Sequence, residues 1–116
     1  MDLQDLKAKL SAFARERDWD QFHSPKNLAM ALGGEAGELL EHFQWLSDEQ
    51  SRAVGADPKR LALVAEELAD ITIYVVRLCD KLGLDLDDAV ARKIEANARK
   101  YPVSLAKGNA TKYTDF

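Results

Sequence analysis

Two pairs of carboxylates, each with members three residues apart, are the residues of this chain best suited to chemistry. The first pair is Glu35 and Glu38, and the second is Glu67 and Asp70. Residues at positions i and i+3 are neighbours on a helix surface, so each pair offers oxygen ligands from one patch. Oxygen ligands without cysteine or an obligatory histidine suit Mg²⁺, with Mn²⁺ as the alternative, rather than Zn²⁺. The pattern therefore predicts a divalent-cation site if the two helices pack antiparallel, so that the two patches face one another.

The position of these acids relative to the apolar stripes sets them apart from an ordinary solvated helix face. Glu35 falls inside the apolar stripe of its helix and Glu38 lies at the edge. Glu67 falls within the apolar arc of its own helix, and Asp70 lies just beyond that arc. A carboxylate in such a stripe is costly to desolvate unless a cation or strong hydrogen bonds compensate. A lone pair is usually solvated, but two such pairs leave a metal site and a solvated patch as comparable alternatives. His42 is interpreted as a structural or supporting group more readily than as a ligand.

Helical periodicity and capping residues describe the elements that must position the acids. Ser24-Pro25 and Asp57-Pro58 are typical helix starts, with a capping side chain followed by proline. Gly83 is suited to a left-handed helix end, and Ser47–Gln50 resembles a capping box that opens a short turn. No segment shows the two-residue alternation of a strand. The chain is predicted to be all-α and four-helix bundle-like, with helices over residues 2–17, 25–45, 58–82 and 85–100.

Composition limits the classes of protein to consider. The chain has 116 residues, 47% hydrophobic and 31% charged, which fits a single globular domain over residues 1–116. A domain of this size buries a limited core, which favours oligomerisation. The net charge of −4 argues against duplex nucleic acid as a partner. The N-terminus lacks the apolar core of a signal peptide, and no run is long enough to span a membrane, so we expect a cytoplasmic protein. The single cysteine, Cys79, excludes an intrachain disulfide and is expected to be a buried thiol.

Several further side chains are candidates for contacting a ligand. Asn97 falls within the apolar face of the last long helix, where it is either a structural hydrogen-bonding group or a reader of a nucleobase edge. Lys93 flanks the same face and is either a phosphate ligand or a solvated side chain. Aromatic residues near a site can stack on a base, although most aromatics of a small protein belong to its core. The aromatic candidates are Trp19, Phe22, Trp45 and Tyr74.

A series of short segments spread over Phe13–Thr114 carries a family resemblance. They are Arg17-Asp18-Trp19, Gln21-Phe22-His23, Pro25 with Asn27-Leu28, Gly34-Glu35, Gly37-Glu38-Leu39, Phe43-Gln44-Trp45, Glu66-Glu67-Leu68 with Asp70, Ile73-Tyr74, Lys93, Asn97, Tyr101-Pro102 and Lys112-Tyr113-Thr114. In this order they resemble the MazG-like all-α nucleoside triphosphate pyrophosphohydrolase superfamily, and most closely its dCTP pyrophosphatase branch. The connection from Ser47 to Asp57 is shorter than in some members of that superfamily.

The resemblance implies a fold, an activity and a set of site residues. The implied fold is the MazG-type helical bundle, assembled as a homo-oligomer, with a tetramer favoured over a dimer. The implied activity is Mg²⁺-dependent hydrolysis of a nucleoside triphosphate, dCTP or a similar nucleotide, to the monophosphate and pyrophosphate, which clears surplus or noncanonical nucleotides. The implied metal ligands are Glu35, Glu38, Glu67 and Asp70. Independently of the resemblance, the chemistry of phosphate hydrolysis calls for a carboxylate that activates water, and Glu38 is the candidate. The candidate nucleotide-binding residues are Trp19, His23, Trp45, Tyr74, Lys93 and Asn97.

Two other classes of protein remain as alternatives. The first is a non-catalytic helical interaction module, in which the acids form a solvated or oligomer-organising patch. The second is a di-iron carboxylate bundle, whose sites use two Glu-x-x-His pairs. Neither His23 nor His42 provides such a pair, which disfavours the second alternative.

Overall fold

The regular elements of the chain are all helical. A computed structural model describes every residue from Met1 to Phe116, and it confirms the predicted all-α class. None of the helices combines the length and the apolar character needed to cross a bilayer. The α-helices are α1 (Leu3–Glu16), α2 (Pro25–Glu41), α3 (Asp48–Arg52), α4 (Pro58–Leu82), α5 (Leu86–Lys100) and α6 (Val103–Ala106), and short 3₁₀ turns cover Asp20–Phe22, Val54–Ala56 and Tyr113–Asp115.

The predicted helix starts are formed by the capping side chains that the sequence contains. The side chains of Ser24, Asp57 and Asp85 accept hydrogen bonds from backbone N–H groups in the first turns of α2, α4 and α5. These bonds satisfy donors that have no partner within the helix. At the end of α4, Gly83 adopts a left-handed conformation with φ of 64°. The predictions for these boundaries are therefore confirmed.

The second predicted helix is too long in the sequence-based description. It ends at Glu41 rather than near Trp45, and residues 42–46 form successive tight turns. The reason lies immediately downstream. Ser47 and Gln50 form a reciprocal capping box, with Ser47 Oγ accepting from Gln50 N and Gln50 Oε1 accepting from Ser47 N. Because an N-cap residue must have an extended backbone, the chain leaves the helical path before Ser47 to begin α3.

The segment Met1–Gly83 forms one compact unit in which α4 packs against α2 and α1. Helices α2 and α4 run antiparallel. His23, just before α2, contacts Arg77 near the end of α4, whereas His42, just after α2, lies beside Glu67 in the first half of α4. This arrangement brings the acidic segments of the two helices opposite one another.

The core of this first unit is small. Its fully buried apolar residues are Ala14, Leu28, Val54, Val64 and Val76. Cys79 is only half-buried, contrary to the expectation of a buried thiol, because it lies towards the end of α4 and beyond this core. Leucines of α4 such as Leu61 and Leu68 remain about half exposed, at 45% and 49%. The single chain therefore leaves apolar surface uncovered.

The segment Leu84–Phe116 forms a second compact unit. Its aromatic centre is Tyr101, whose ring meets the rings of Tyr113 and Phe116 edge-on at 5.8 and 5.9 Å. Asn97 is exposed, so the expected burial of its amide is wrong for the single chain. The apolar face of α5 that contains it is uncovered, since Ile94 is 64% exposed.

Leu28 anchors α2, because only 1% of its surface is accessible. We expect Leu28→Ala to lower the free energy of unfolding by about 2–5 kcal/mol, through the lost burial and the cavity left behind. Lys26→Ala on the same helix is the matched control, because the Lys26 side chain is exposed. It should change stability by about 0.5 kcal/mol or less. Urea unfolding measures both, and equal losses in the two variants would contradict this description of the core.

Candidate active site

Three of the four predicted carboxylates come together between α2 and α4. One oxygen atom from each of Glu35, Glu38 and Glu67 lies within 4.8 Å of the other two. Glu35 and Glu38 project from the same patch of α2 because they are three residues apart. Glu67 joins them because the antiparallel packing places the middle of α4 opposite. The three residues are called the acidic cluster below.

The acidic cluster contains two carboxylate oxygens that no protein group satisfies. Glu35 Oε2 and Glu67 Oε2 are shielded from solvent and have no hydrogen-bond partner. His42 Nε2 lies 3.5 Å from the other oxygen, Glu67 Oε1, and supports that side of the cluster. Unpartnered buried polar atoms are rare and costly in folded proteins. A divalent cation fits this donor set, because hard oxygen ligands are those that Mg²⁺ and Mn²⁺ prefer.

The close approach of these acids changes their pKa values in opposite directions. The pKa of Glu35 rises from 4.5 to about 7, chiefly because Glu35 hydrogen-bonds to Glu67, and burial and the neighbouring Glu38 act in the same direction. Burial acts to raise the pKa of Glu67, but hydrogen bonds with Glu35, Glu38 and His42 outweigh it and lower that pKa. Without a cation and below about pH 7, Glu35 therefore holds a proton that it shares with the ionised Glu67.

Asp70 lies outside the acidic cluster. It is half-buried one turn further along α4, where it lines a neighbouring cavity. Its charge still contributes to raising the pKa of Glu35. The structure thus places Asp70 between the acidic cluster and the cavity, and its role as a metal ligand stays a prediction.

The cavity beside Asp70 has a volume of about 320 Å³ and a largely apolar lining. Its aromatic wall contains Trp19, which packs edge-on against Phe13 with ring centroids 5.7 Å apart. The volume is at the lower end of the range for small-molecule sites. Of the four predicted carboxylates, Asp70 is the one that lines this cavity. The lining residues are Leu10, Phe13, Ala14, Trp19, His23, Asp70, Ile73, Tyr74 and Arg77.

One residue of this lining, a buried arginine, was not a candidate from the sequence. Arg77 is 3% exposed, and its Nη2 atom donates to Asp20 Oδ1 at 2.8 Å and to His23 Nδ1 at 3.1 Å. Lys81 donates to the same Asp20 oxygen at 2.7 Å, and the hydrogen bonds from Lys81 and Arg77 lower the pKa of Asp20. The sequence did contain a signal, because Arg77 is the only charged residue in the apolar run Ile71–Cys79.

The remaining predicted site residues divide into two groups. Trp19, His23 and Tyr74 line the cavity together, as a shared ligand site requires. Trp45 does not join them: it lies in the turns after α2 and is 86% exposed. Lys93 and Asn97 are exposed residues of α5 in the second unit, and their contacts with a ligand stay predictions.

The fold and the site define a class of all-helical proteins with an acidic centre next to an aromatic cavity. Residues 31–116 match the MazG-like family. The chain belongs to this family, which confirms the resemblance noted in the sequence.

Individual relatives agree with this assignment. The chain is 49% identical to bovine (Bos taurus) dCTP pyrophosphatase 1 over 113 residues, which are 97% of this chain and 67% of that protein. It is 45% identical to the human (Homo sapiens) dCTP pyrophosphatase 1, with 97% of this chain and 66% of that protein covered. The chain thus spans about two thirds of the length of these relatives. The crystal structure of a pyrophosphatase from Archaeoglobus fulgidus superposes with a TM-score of 0.77 at 42% identity, covering 85% of this chain and 91% of that one.

The raised pKa of Glu35 predicts how the stability of the metal-free protein depends on pH. Since its folded-state pKa of about 7 lies above the ordinary 4.5, the contribution of Glu35 is fully present below about pH 4.5 and is lost as the pH rises through 7. Glu35→Gln cannot ionise, so we expect its stability relative to wild type to increase between pH 5 and pH 8 in EDTA. Urea unfolding at the two pH values measures the difference.

Glu66→Gln is the control for this experiment, because Glu66 is an exposed neighbour of Glu67 on α4. Its stability relative to wild type should not change over the same pH interval. A Glu35→Gln difference that stays constant from pH 5 to pH 8 would contradict the shared proton in the acidic cluster.

Proposed function

We propose that this chain is a metal-dependent nucleoside triphosphate pyrophosphohydrolase that converts dCTP, or a closely similar nucleotide, to the monophosphate and pyrophosphate. The observation that carries the proposal is the pair of shielded, unpartnered oxygens on Glu35 and Glu67 beside an aromatic cavity. The family match and the names of the mammalian relatives support the reaction and the substrate. Removal of surplus or noncanonical nucleotides in the cytoplasm is the corresponding cellular role.

The acidic cluster would hold the metal. Glu35, Glu38 and Glu67 would be the ligands, with Asp70 as a fourth ligand on the side of the cavity, and the ion would be Mg²⁺ or, as the alternative, Mn²⁺. When bound, such an ion supplies neutralisation of phosphate charge and lowers the pKa of water. Glu38 is the exposed member of the cluster, so it is the carboxylate that solvent can reach. We assign to Glu38 the acceptance of a proton from the water that attacks the α-phosphate.

The aromatic cavity would receive the nucleoside. Trp19 and Tyr74 offer apolar ring surfaces, and His23 and Asp70 add polar groups that fix the orientation of a ring. A base in the cavity would place the phosphates towards the acidic cluster, because Asp70 lies between the two. Trp45, Lys93 and Asn97 are retained as nucleotide-binding candidates on the strength of the resemblance alone.

A homo-oligomer, with a tetramer favoured over a dimer, is part of the proposal. Large apolar side chains are exposed on several helices, including Leu40 at 61%, Leu68 at 49% and Ile94 at 64%. A subunit interface would cover exposed apolar side chains of this size. The oligomer would also account for the small core of the single chain.

The acidic cluster argues against the two alternative classes. In a non-catalytic interaction module the acids would be solvated, whereas two of their oxygens are shielded from water. A di-iron site uses two Glu-x-x-His pairs, but His42 is the only histidine paired with an acid of the cluster. Both observations favour Mg²⁺-type chemistry on a nucleotide.

Pyrophosphate release from a panel of ribo- and deoxynucleoside triphosphates tests the proposed function. Wild type with Mg²⁺ should act most rapidly on dCTP or its base-modified forms and should lose activity in EDTA. Glu67→Gln removes a ligand charge and should lower kcat by about 100-fold or more. Glu66→Gln, its exposed neighbour, should retain activity within about twofold. Equal rates for wild type and Glu67→Gln across the whole panel would contradict the proposed pyrophosphohydrolase activity.

The proposed place of the base is tested separately with Trp19→Ala. Loss of the aromatic wall should raise KM for dCTP by about tenfold or more, because stacking on an aromatic side chain contributes about 1–3 kcal/mol per base. Phe22→Ala is the matched control, since Phe22 belongs to the same segment but does not line the cavity. A larger KM effect for Phe22→Ala than for Trp19→Ala would place the base elsewhere.

A further inference from the structure

Arg77 makes hydrogen bonds in directions that its chemistry dictates. A guanidinium group has only donors, so each atom that it contacts must accept. Its acceptors are Asp20 Oδ1 at 2.8 Å, His23 Nδ1 at 3.1 Å and, more weakly, Asp80 Oδ2 at 3.4 Å. Two of these acceptors belong to the segment that precedes α2, and the third belongs to α4 itself. The arginine therefore ties that segment to α4.

The contact with His23 fixes the tautomer of that histidine. Because Nδ1 must accept from Arg77, Nδ1 carries no proton and the neutral ring has its proton on Nε2. Burial and the charge of Arg77 also lower the pKa of His23, which keeps the ring neutral. The charge of Asp20 acts to raise the pKa of His23, whereas the charge of Lys81 acts to lower it. Asp70 lines the same cavity as His23. Nε2 of His23 is consequently a hydrogen-bond donor at the cavity.

The segment that Arg77 holds has little regular structure of its own. It contains one short 3₁₀ turn, Asp20–Phe22, and Asp18 adopts a left-handed backbone with φ of 54°, which is uncommon for a residue other than glycine. Trp19 and His23 flank the turn, and both line the cavity. An irregular segment needs tertiary contacts to keep such side chains in place, and the charge-assisted contact between Arg77 and Asp20 is one of these.

We infer that Arg77 is a positioning residue: it holds Trp19 and His23 in the cavity wall and orients His23 so that its Nε2–H group meets a hydrogen-bond acceptor on the ligand. A pyrimidine such as cytosine presents such acceptors at O2 and N3. The inference rests on the proposed function for the identity of the ligand. The positioning itself can be measured on the protein without catalysis.

The first measurement is binding of dCMP in EDTA, followed by Trp19 emission in a Trp45→Phe background, where Trp19 is the only tryptophan. Arg77→Met keeps the length of the side chain, and Asp20 retains Lys81 as a partner. We expect Arg77→Met to shift the Trp19 emission and to weaken dCMP binding by about tenfold, since a charged anchor is lost. Asp80→Asn is the control, because it removes the charge of an Arg77 partner that lies on α4 and outside the segment.

The second measurement is the ¹⁵N spectrum of the histidine rings at pH 7. The chain has two histidines, so His23→Gln assigns the signals. Wild type and Asp80→Asn should show a single neutral His23 tautomer protonated on Nε2. Arg77→Met should show averaging with the other tautomer or with the charged ring, while the His42 signals stay unchanged.

If circular dichroism shows that Arg77→Met does not fold, Arg77→Lys takes its place in both measurements. A lysine keeps the buried charge but cannot bond Asp20 and His23 with a rigid fork, so both readouts should lie between those of wild type and full loss. Unchanged His23 signals and dCMP affinity in the folded variant would overturn the inference. Absence of pyrophosphate release from wild type would refute the proposed function, whereas the Trp19 emission and His23 spectra would still decide the role of Arg77.

Discussion

The antiparallel packing of α2 against α4 places like charges opposite one another, and the rest of the site depends on this contact. Glu35 and Glu67 meet in a space where two of their oxygens are shielded from water. Two ionised carboxylates at this distance repel, so the interface needs either a proton or a cation. The packing of α2 against α4 that builds the first unit therefore also favours binding of a cation, and the proposed activity depends on that cation.

One face of α4 carries most of the groups involved. Glu67, Asp70, Tyr74, Arg77 and Lys81 follow one another at intervals of three or four residues, which places them along one side of a helix. In this order they contribute to the acidic cluster, the cavity wall and the anchor of Asp20. A single helix thus sets the spacing between the metal-binding end and the base-binding end of the proposed site. Small shifts of α4 would alter both ends together.

Local signals in the sequence were sufficient for the starts of the long helices and for the acidic pairs. Capping side chains such as Ser24 and Asp57 act within a few residues of their own position, so their effect can be predicted without tertiary information. The approach of Glu67 to Glu35 required one further assumption, antiparallel packing, which the structure contains.

Tertiary information was needed where the prediction was incomplete or wrong. The contact of Arg77 could not be predicted, because its partner Asp20 is 57 residues away in sequence. The burial of Asn97 was inferred from a helical pattern, but nothing in the second unit covers that face of α5. Trp45 lies in the turns between the early end of α2 and the capping box of Ser47 and Gln50, where it is exposed. Periodicity alone does not locate such a helix end.

The left-handed backbone at Asp18 has a consequence for the stiffness of the aromatic wall. Glycine would adopt this conformation without strain, but it would also enlarge the set of unfolded and alternative loop conformations. Local hydrogen bonds compensate for the strain at Asp18. The side-chain amide of Gln21 donates to the carboxylate of Asp18 at 2.9 Å and to the backbone carbonyl oxygen of Asp18 at 3.2 Å. The backbone at Asp18 is therefore left-handed but has fewer alternative conformations than a glycine would have at this position. The loop carrying Trp19 is consequently shaped in advance of any ligand, and less order has to be created when a flat ring enters.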